Sequence, residues 1–595
     1  MTLSQTFQSG AGFPPATRER WRELAEEVLR RSGQAAESPE QALASATDDG
    51  ITIAPLYDPI DLPAVPGLPG LPPYAFGGRR LGAAWEVRQR HEVADPEAVM
   101  ADLENGVDSL WLAVAPEDLP RVLDGVNLDW ISIALDAGGR TREAADALLA
   151  LAAGRGVPAA ALRGCLGADP LGILSRCGTA PHLPQMAELA RRCADDLPGM
   201  RAVVVDATPY HEAGAGDAEE LGCSIATGIA YLRTLTAYGL GVNESFGQLE
   251  FRYAATADQF ATIAKLRAAR VLWARVAEVC GGPPGQLQHA VTSAAMVTRR
   301  DAWTNMLRTT LACFAAGVAG ADAVTVRPFD DALGLPDGFS RRIARNTSAL
   351  LVEEARVARV SDPAAGSWYV ERRTADLAEV AWQWFQEIEE AGGMADALAS
   401  GLVAGRIAAT RASRSRDIAR RKAPIVGVSR FPDLSEAPPA RTPTPRTPEG
   451  TLPRIRYAQE FEDLRDQVDD RPSRPQVFLA AIGSRVGEHV ARASFAADVF
   501  HAGGIESITS RPATDPDMIA EEFAASGAVV ACLCSSDQMY DEHAATVAEA
   551  LRKAGAVRIW LAGRGRYDGV DGNLYAGCDV VDVLRTTLAD LEVGA

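Results

Sequence analysis

The sequence predicts an α/β protein: a (β/α)8 TIM-type barrel followed by a flavodoxin-like (Rossmann-like) domain. Three observations predict it. From about Ser109 to Val428, short apolar runs alternate with longer amphipathic stretches, the pattern of parallel strands joined by helices. A stretch rich in Pro, Arg and Thr then breaks the pattern. Beyond it the alternation resumes on a smaller scale, with strand-like runs packed into about 120 residues.

The elements follow in chain order. Residues 1–80 are expected to form an amino-terminal helix and an extended arm. The helix is assigned to Thr17–Arg31, with Thr17 as N-cap and Trp21, Leu24, Ala25 and Val28 on one stripe. The Pro/Gly-rich stretch from Pro59 to Gly78 supports neither regular helix nor sheet and should run over a surface. The barrel is assigned to residues 81–430. Its strands are read at Leu110–Val114, Ile131–Leu135, Ala160–Leu166, Ala202–Ala207, Leu249–Ala254, Leu287–Thr292, Ala323–Val326 and Ile425–Val428. Helical patterns such as Leu221–Ala237 and Phe260–Val279 lie between them. The last interval is long and holds several helices, so one of these strands is open to reassignment. Residues 431–475, including PPARTPTPRTPEG, have the composition of a linker. Residues 476–595 carry strands at Gln476–Ile482, Glu506–Thr509, Ala528–Cys534, Arg558–Leu561 and Val580–Val583, with a helix at Asp541–Ala554 among the connections.

Composition narrows the function. A chain of 595 residues exceeds one ordinary domain. A net charge of -20 disfavours nucleic acid and anionic membrane surfaces, which want Lys/Arg-rich faces, but leaves room for a nucleotide-like ligand held by a local cation. No run approaches the roughly 20 apolar residues of a membrane span, and MTLSQTFQSG lacks the basic and apolar regions of a secretory leader. A cytoplasmic protein is expected. The 9 cysteines form no CxxC pair, which argues against a zinc site. Cys532 and Cys534 share one face of a strand, with side chains too parallel for an easy disulfide.

Several stretches resemble one family. KLRAARVLWA (Lys265–Ala274) is similar to the long barrel helix of the acyl-CoA mutases. RRIARNTSALLVEE (Arg341–Glu354) resembles that family's RIARNTQ segment, and DPAAGSWYVE (Asp362–Glu371) its DPxxGSxYVE pattern. GITIAPLY (Gly50–Tyr57), the GGM turn at Gly392–Met394 and PIVGV (Pro424–Val428) agree as well. The chain is thus identified as a member of the methylmalonyl-CoA mutase family. That resemblance implies coenzyme-A esters as substrates, adenosylcobalamin as cofactor and a radical interconversion of (R)-methylmalonyl-CoA and succinyl-CoA. In active members a substrate tail threads the barrel axis, and the corrin sits between the barrel's carboxyl face and the small domain.

The same resemblance marks what is missing. Active members carry DxHxxG after the small domain's first strand, where the His ligates cobalt from below and the Asp orients it. Here Ile482 stands at the Asp and Ser484 at the His; only Gly487 persists. A lysine four positions earlier in the family is Phe478 here. A Gly-Gly pair admits the cofactor's nucleotide tail after the fourth strand; here Gly563 is followed by Arg564, which either occupies the tail cavity or swings to solvent. In the barrel, WEVRQR (Trp85–Arg90) puts Arg90 at the family's tyrosine, and the loop between Tyr74 and Trp85 is short. The catalytic histidine of GYHMQEAGA aligns with Pro209; His211, two residues on, faces elsewhere unless the segment shifts. RTHSQTSG reads LQHAVTSA, so Leu287 replaces the arginine and Val291 the glutamine, while His289 remains as core residue or catalyst. Arg176 or Cys177 falls near an arginine that the family uses on substrate.

These losses act on one site as a unit. No catalytic, cofactor-binding or metal-binding residue is therefore assigned to this chain. The family has a heterodimeric branch with one active and one inactive chain, and amino-terminal segments contribute to their contact. The expectation is a small, non-catalytic subunit supporting a homologous large subunit that binds adenosylcobalamin and acyl-CoA. The alternatives are an independent acyl-CoA mutase-like enzyme working without cobalamin, and a scaffold or chaperone of cobalamin enzymes. The last lacks a GxxxxGK[ST] nucleotide loop.

Overall fold

The computed structural model describes residues 16–34, 37–63, 67–77, 83–179, 181–444 and 450–593. Positions 64–66 and 78 of the extended arm, 78–82 of the loop before Trp85, and 445–449 of the Pro-rich run lie outside the described residues.

Eight parallel strands close into a barrel: β1 (Glu86–His91), β2 (Ser109–Leu112), β3 (Ser132–Leu135), β4 (Arg163–Ala168), β5 (Met200–Asp206), β6 (Leu249–Ala255), β7 (Gln288–Thr292) and β8 (Ala323–Thr325). Each pairs with its sequence neighbour, and β8 closes on β1 through Ala323–Glu86 and Val324–Val87. Seven of the expected strands fall on β2–β8, with edges shifted by a few residues. The eighth is corrected: Ile425–Val428 is a turn, with Gly427 at φ 80° and a bridge between Val426 and Arg430. Ile425 and Val428 pack against the carboxy-terminal domain's core instead. The true closing strand, EVRQRH, escaped the pattern because Arg88 and Arg90 occupy positions where a filled barrel ordinarily places apolar residues.

The stretches that carry the family resemblance are barrel scaffold. Gln259–Cys280 is a buried helix, capped by Asp258 at one end and left-handed Gly281 at the other. Trp368–Glu390 packs across it and across Asp217–Ala237. Arg267 on the first of these helices pairs with Asp362 and, at 2.7 Å, with Glu371, the two ends of DPAAGSWYVE. Lys265 reaches Glu220 at 2.7 Å and Asp217 at 3.0 Å; Arg345 reaches Asp102 at 2.6 Å. All three cations are buried, where an unpartnered charge is strongly destabilising.

Residues 450–457 lie across the barrel's carboxyl end. Leu452, Ile455 and Tyr457 donate backbone hydrogen bonds to Ser175, Glu212 and Ala295. The helix Gln459–Asp469 then meets Arg299 and Arg300 through Glu462, Asp463, Asp466 and Asp469.

The second domain is a five-stranded parallel sheet: β9 (Gln476–Ala481), β10 (Glu506–Thr509), β11 (Val530–Cys534), β12 (Arg558–Ala562) and β13 (Gly572–Leu574). The order β10-β9-β11-β12-β13 is the flavodoxin-like one. One assignment is corrected here too. Val580–Val583 opens the helix Val580–Val593, and the fifth strand is the shorter Gly572–Leu574. The run VVDVL is apolar because that helix lies on the sheet. All nine cysteines are free, with the Cys532 and Cys534 sulfurs 4.0 Å apart.

Candidate functional site

The barrel axis is filled by side chains. Trp111 on β2 lies at its centre, in an inner cluster with Ala134, Cys165, Val204 and Val291. Two guanidinium groups sit over its ring, that of Arg252 at 4.1 Å from the centroid and that of Arg90 at 4.7 Å. Arg252 donates to Asp206 at 2.9 Å, which also takes Arg176 at 2.7 Å. Below them Arg88 bonds Glu250 at 2.5 Å and Ser109 at 2.9 Å. Burial opposes ionisation of Asp206, but Arg252 and Arg176 outweigh it and hold the carboxyl well below its usual range.

His289 belongs to this plug. Its Nδ1 accepts from Arg252 Nε at 3.2 Å, so the proton sits on Nε2, 2.8 Å from Thr325 Oγ1. Burial, then Arg88 and Arg252, push its pKa well below the usual value. Both nitrogens of this buried, neutral imidazole are thus engaged within the plug. Leu287 precedes β7, at the barrel's amino end, where its carbonyl accepts from Phe251 N–H at 2.9 Å.

At the carboxyl mouth a cleft of about 1010 Å³ remains, roofed by Ile455 and its neighbours from the 431–475 stretch. Several of its cations are matched by carboxylates. Arg176 pairs with Asp206 and Asp169, Arg327 with Glu212 (3.3 Å) and Asp331 (3.1 Å), and Arg90 with Glu92. Cys177 also lines the cleft.

Pro209 lies in the first turn of the short helix Thr208–Glu212 and is buried. His211 is turned the other way. Its Nε2 is 2.7 Å from Ser293 Oγ and 3.4 Å from the Tyr457 hydroxyl, and its Nδ1 is 3.5 Å from Glu220. It is not among the residues lining the cleft. Tyr457 covers the ring.

The second domain's loop is equally closed. Phe478 is buried edge-on against Phe523, with ring centroids 5.5 Å apart. Ile482 is fully buried in the same cluster and donates its N–H to Cys534 O. Ser484 is exposed; its N–H and that of Arg485 both donate to Glu488, at 2.8 and 2.9 Å, and hold that carboxyl below its ordinary pKa. Arg564 takes the solvent alternative: it is exposed, lies 4.8 Å from the Tyr575 ring and does not fill the domain.

Another arginine, its side chain 30% exposed, reaches the end of β12. Arg492 donates to Ala562 O at 2.9 Å, and a side-chain carbon at Gly563 would stand 2.3 Å from its guanidinium. Beside it Tyr540 is buried, its hydroxyl accepting from Ser535 N–H at 2.7 Å and lying 3.0 Å from the Leu533 and Ala562 carbonyls. Tyr540 and Ile482 therefore fill the carboxyl ends of β9, β11 and β12, which the family resemblance gives as the place of a cobalamin tail and lower ligand. The residues present do not fit that cofactor, and among the described residues no cluster of His, Cys, Asp and Glu is placed to hold a metal.

Sequence reasoning missed Trp111, Asp206, Arg252, Arg492 and Tyr540. Arg252 had a signal, since a lone arginine inside the apolar run LEFRYAA needs a buried partner. Tyr540 had none.

Comparison with known proteins accords with this geometry. The methylmalonyl-CoA mutase family profile matches residues 107–474. The methylmalonyl-CoA mutase small subunit of Streptomyces virginiae is 55% identical over 604 residues, covering 98% of each chain. That of Propionibacterium freudenreichii subsp. shermanii is 40% identical, covering 99% of this chain and 97% of the relative. The methylmalonyl-CoA mutase of Cereibacter sphaeroides is 33% identical over 464 residues, covering 70% of this chain and 65% of the relative.

Proposed function

The chain belongs to the methylmalonyl-CoA mutase family, and on that premise we propose that it is the small, non-catalytic subunit of a heterodimeric mutase. Its large subunit interconverts (R)-methylmalonyl-CoA and succinyl-CoA, and carries both the adenosylcobalamin and the acyl-CoA ester. The two chains pair one to one in the cytoplasm. The observation that carries this reading is the double closure of the site. Trp111 between Arg90 and Arg252 fills the axis a substrate tail would thread. Ile482 and Tyr540 fill the strand ends a cofactor would enter. Near-complete coverage by proteins named small subunits supports the same assignment.

The first expected result concerns the chain alone. Titrated with adenosylcobalamin, it should show no binding at micromolar concentration and no isomerase turnover, while a cobalamin-loaded large subunit co-purifies with it. Stoichiometric micromolar binding by the isolated chain refutes the assignment. Turnover by the chain without cobalt supports the independent-enzyme alternative instead.

A second result separates a damaged site from a filled one. Restoring both ligand-loop residues, Ile482→Asp with Ser484→His, should leave turnover at the parent's background. Arg90, Pro209 and Leu287 stay as they are, Tyr540 still fills the strand ends, and an aspartate at 482 enters a dry core. Mutase activity above background in the double variant means that the loop alone had silenced the chain.

A further inference from the structure

A groove of about 390 Å³ lies at the seam between the barrel's last turn and the second domain. One wall is the 420–431 segment, with Arg420, Arg421, Val426, Arg430 and Phe431. The other is Phe495 with Tyr575–Gly577, which leaves β13 at the carboxyl edge of the sheet, and Val580. None of the residues that close the cofactor site, Ile482, Arg492 and Tyr540, lines it.

We propose that this groove binds a small anionic ligand with a planar apolar body, of the nucleoside-diphosphate class. Its volume and make-up suit one: mostly aromatic and apolar walls with a few convergent polar groups, in the usual range of roughly 300–1,000 Å³. Its charge is opposite to that of the whole chain. Three arginines line it and no carboxylate does. Asp498 behind the wall takes Arg421 at 2.9 Å and Arg430 at 3.5 Å, and among the described residues no ion pair involves Arg420. The Arg421 side chain is only 7% exposed, and its Nε has no hydrogen-bond partner.

Stacking surface is ready as well. Phe431 is 69% exposed, an unusual state for a phenylalanine, with the Arg430 guanidinium 4.9 Å from its ring. Arg564 sits likewise on Tyr575. Bases stack on aromatic and guanidinium faces, and arginines take phosphates in bidentate fashion. The helix Val580–Val593 begins at the groove, its first turn capped by Asp579, which accepts from Asp582 N–H at 3.0 Å. Two of the lining residues, Arg421 and Phe431, are non-glycines held at φ 55°. Such strain concentrates at ligand clamps.

The test is calorimetric titration of the full chain with ADP, with adenosine and pyrophosphate as the two halves. ADP should bind more tightly than either half. Phe431→Gly removes the ring while relaxing the left-handed backbone, so stability should hold as ADP affinity falls at least tenfold. Arg420→Glu should give a comparable loss, and Arg341→Ala in the barrel cleft should leave affinity unchanged. No ADP binding up to about 1 mM overturns the proposal. So does pyrophosphate binding as tightly as ADP, or a loss in the Arg341 variant that the Phe431 variant does not share.

Discussion

Asp206→Asn should destabilise the barrel by about 3–5 kcal/mol, the usual result of removing one member of a buried ion network. Asp206 is the one carboxylate shared by Arg252 and Arg176. Asparagine keeps its shape but leaves Arg252, almost wholly buried, facing no charge within hydrogen-bond reach; Asp136 is 4.0 Å off. Arg176 still has Asp169 at 3.3 Å. Removing the charges together, as Asp206→Leu with Arg252→Met, should recover most of the loss, because matched apolar groups replace a buried pair at little cost. The measurement is the barrel's unfolding transition in denaturant, followed separately from that of the second domain. A single variant within about 1 kcal/mol of the parent means that water reaches Arg252 and the axis is not sealed.

The same network sets a pH dependence. The folded-state pKa of Asp206 is depressed, so its contribution is present above the unfolded value, about 3.9, and is lost as the pH falls below it. Asp169 and Asp49 work in the opposite sense. Burial raises Asp169 to about 6, and burial with Asp217 raises Asp49 to about 7. Their contributions are full below the unfolded value and decline as the pH rises towards 6 and 7. The parent's acid lability should therefore exceed that of Asp206→Asn, which has already lost the term that fades in acid.

How far the sequence could be read follows from this chemistry. The stretches that made the family visible, KLRAARVLWA and DPAAGSWYVE, are held to each other by Arg267, Asp362 and Glu371. They report the scaffold, so they persist whether or not the chain does chemistry. The departures at Ile482 and Ser484 were legible because a ligand needs a particular atom at a particular place. How the vacated space was filled was not legible. It depends on which inward side chains of different strands meet, as Trp111, Arg252 and His289 do across β2, β6 and β7. The tail cavity shows the same limit. Arg564 could be read as filling that space or facing solvent; it is exposed, and Arg492, from the helix Val486–Ala502, reaches Ala562 O instead. The two misassigned strands have one cause. Ile425–Val428 and Val580–Val583 are apolar through contact between domains or helix and sheet, which a short run cannot distinguish from a strand.

Deleting residues 1–45 should weaken pairing with the large subunit by roughly ten- to a hundredfold while leaving the barrel folded. The helix Arg18–Arg31 is capped by Thr17 as the sequence indicated, but it buries little of its apolar stripe. Leu24 is 47% and Val28 61% exposed, and Leu29 is the helix's only buried residue. It is tethered by charge, with Arg18 on Asp58 at 2.8 Å and Arg22 on Glu40. An amphipathic helix presenting its apolar side outward lacks the packing that normally stabilises one. Burying Leu24 and Val28 is worth up to about 1.5–3 kcal/mol each, and association spends part of that on lost freedom. The cut is placed to spare the scaffold. The hairpin that pairs Ala46 with Thr52 carries Asp48, bonded to Arg414 at 2.8 Å. It also carries Asp49, which caps Asp217–Ala237 by accepting from Ala218 N–H at 2.9 Å, because the N-cap Gly216 has no side chain to do so. Truncation beyond Asp49 would strip that cap and confuse the result. Co-elution of the two chains on size exclusion reads the affinity, with circular dichroism as the folding control. A truncated chain that is folded and pairs as tightly as the full one removes the helix from the interface.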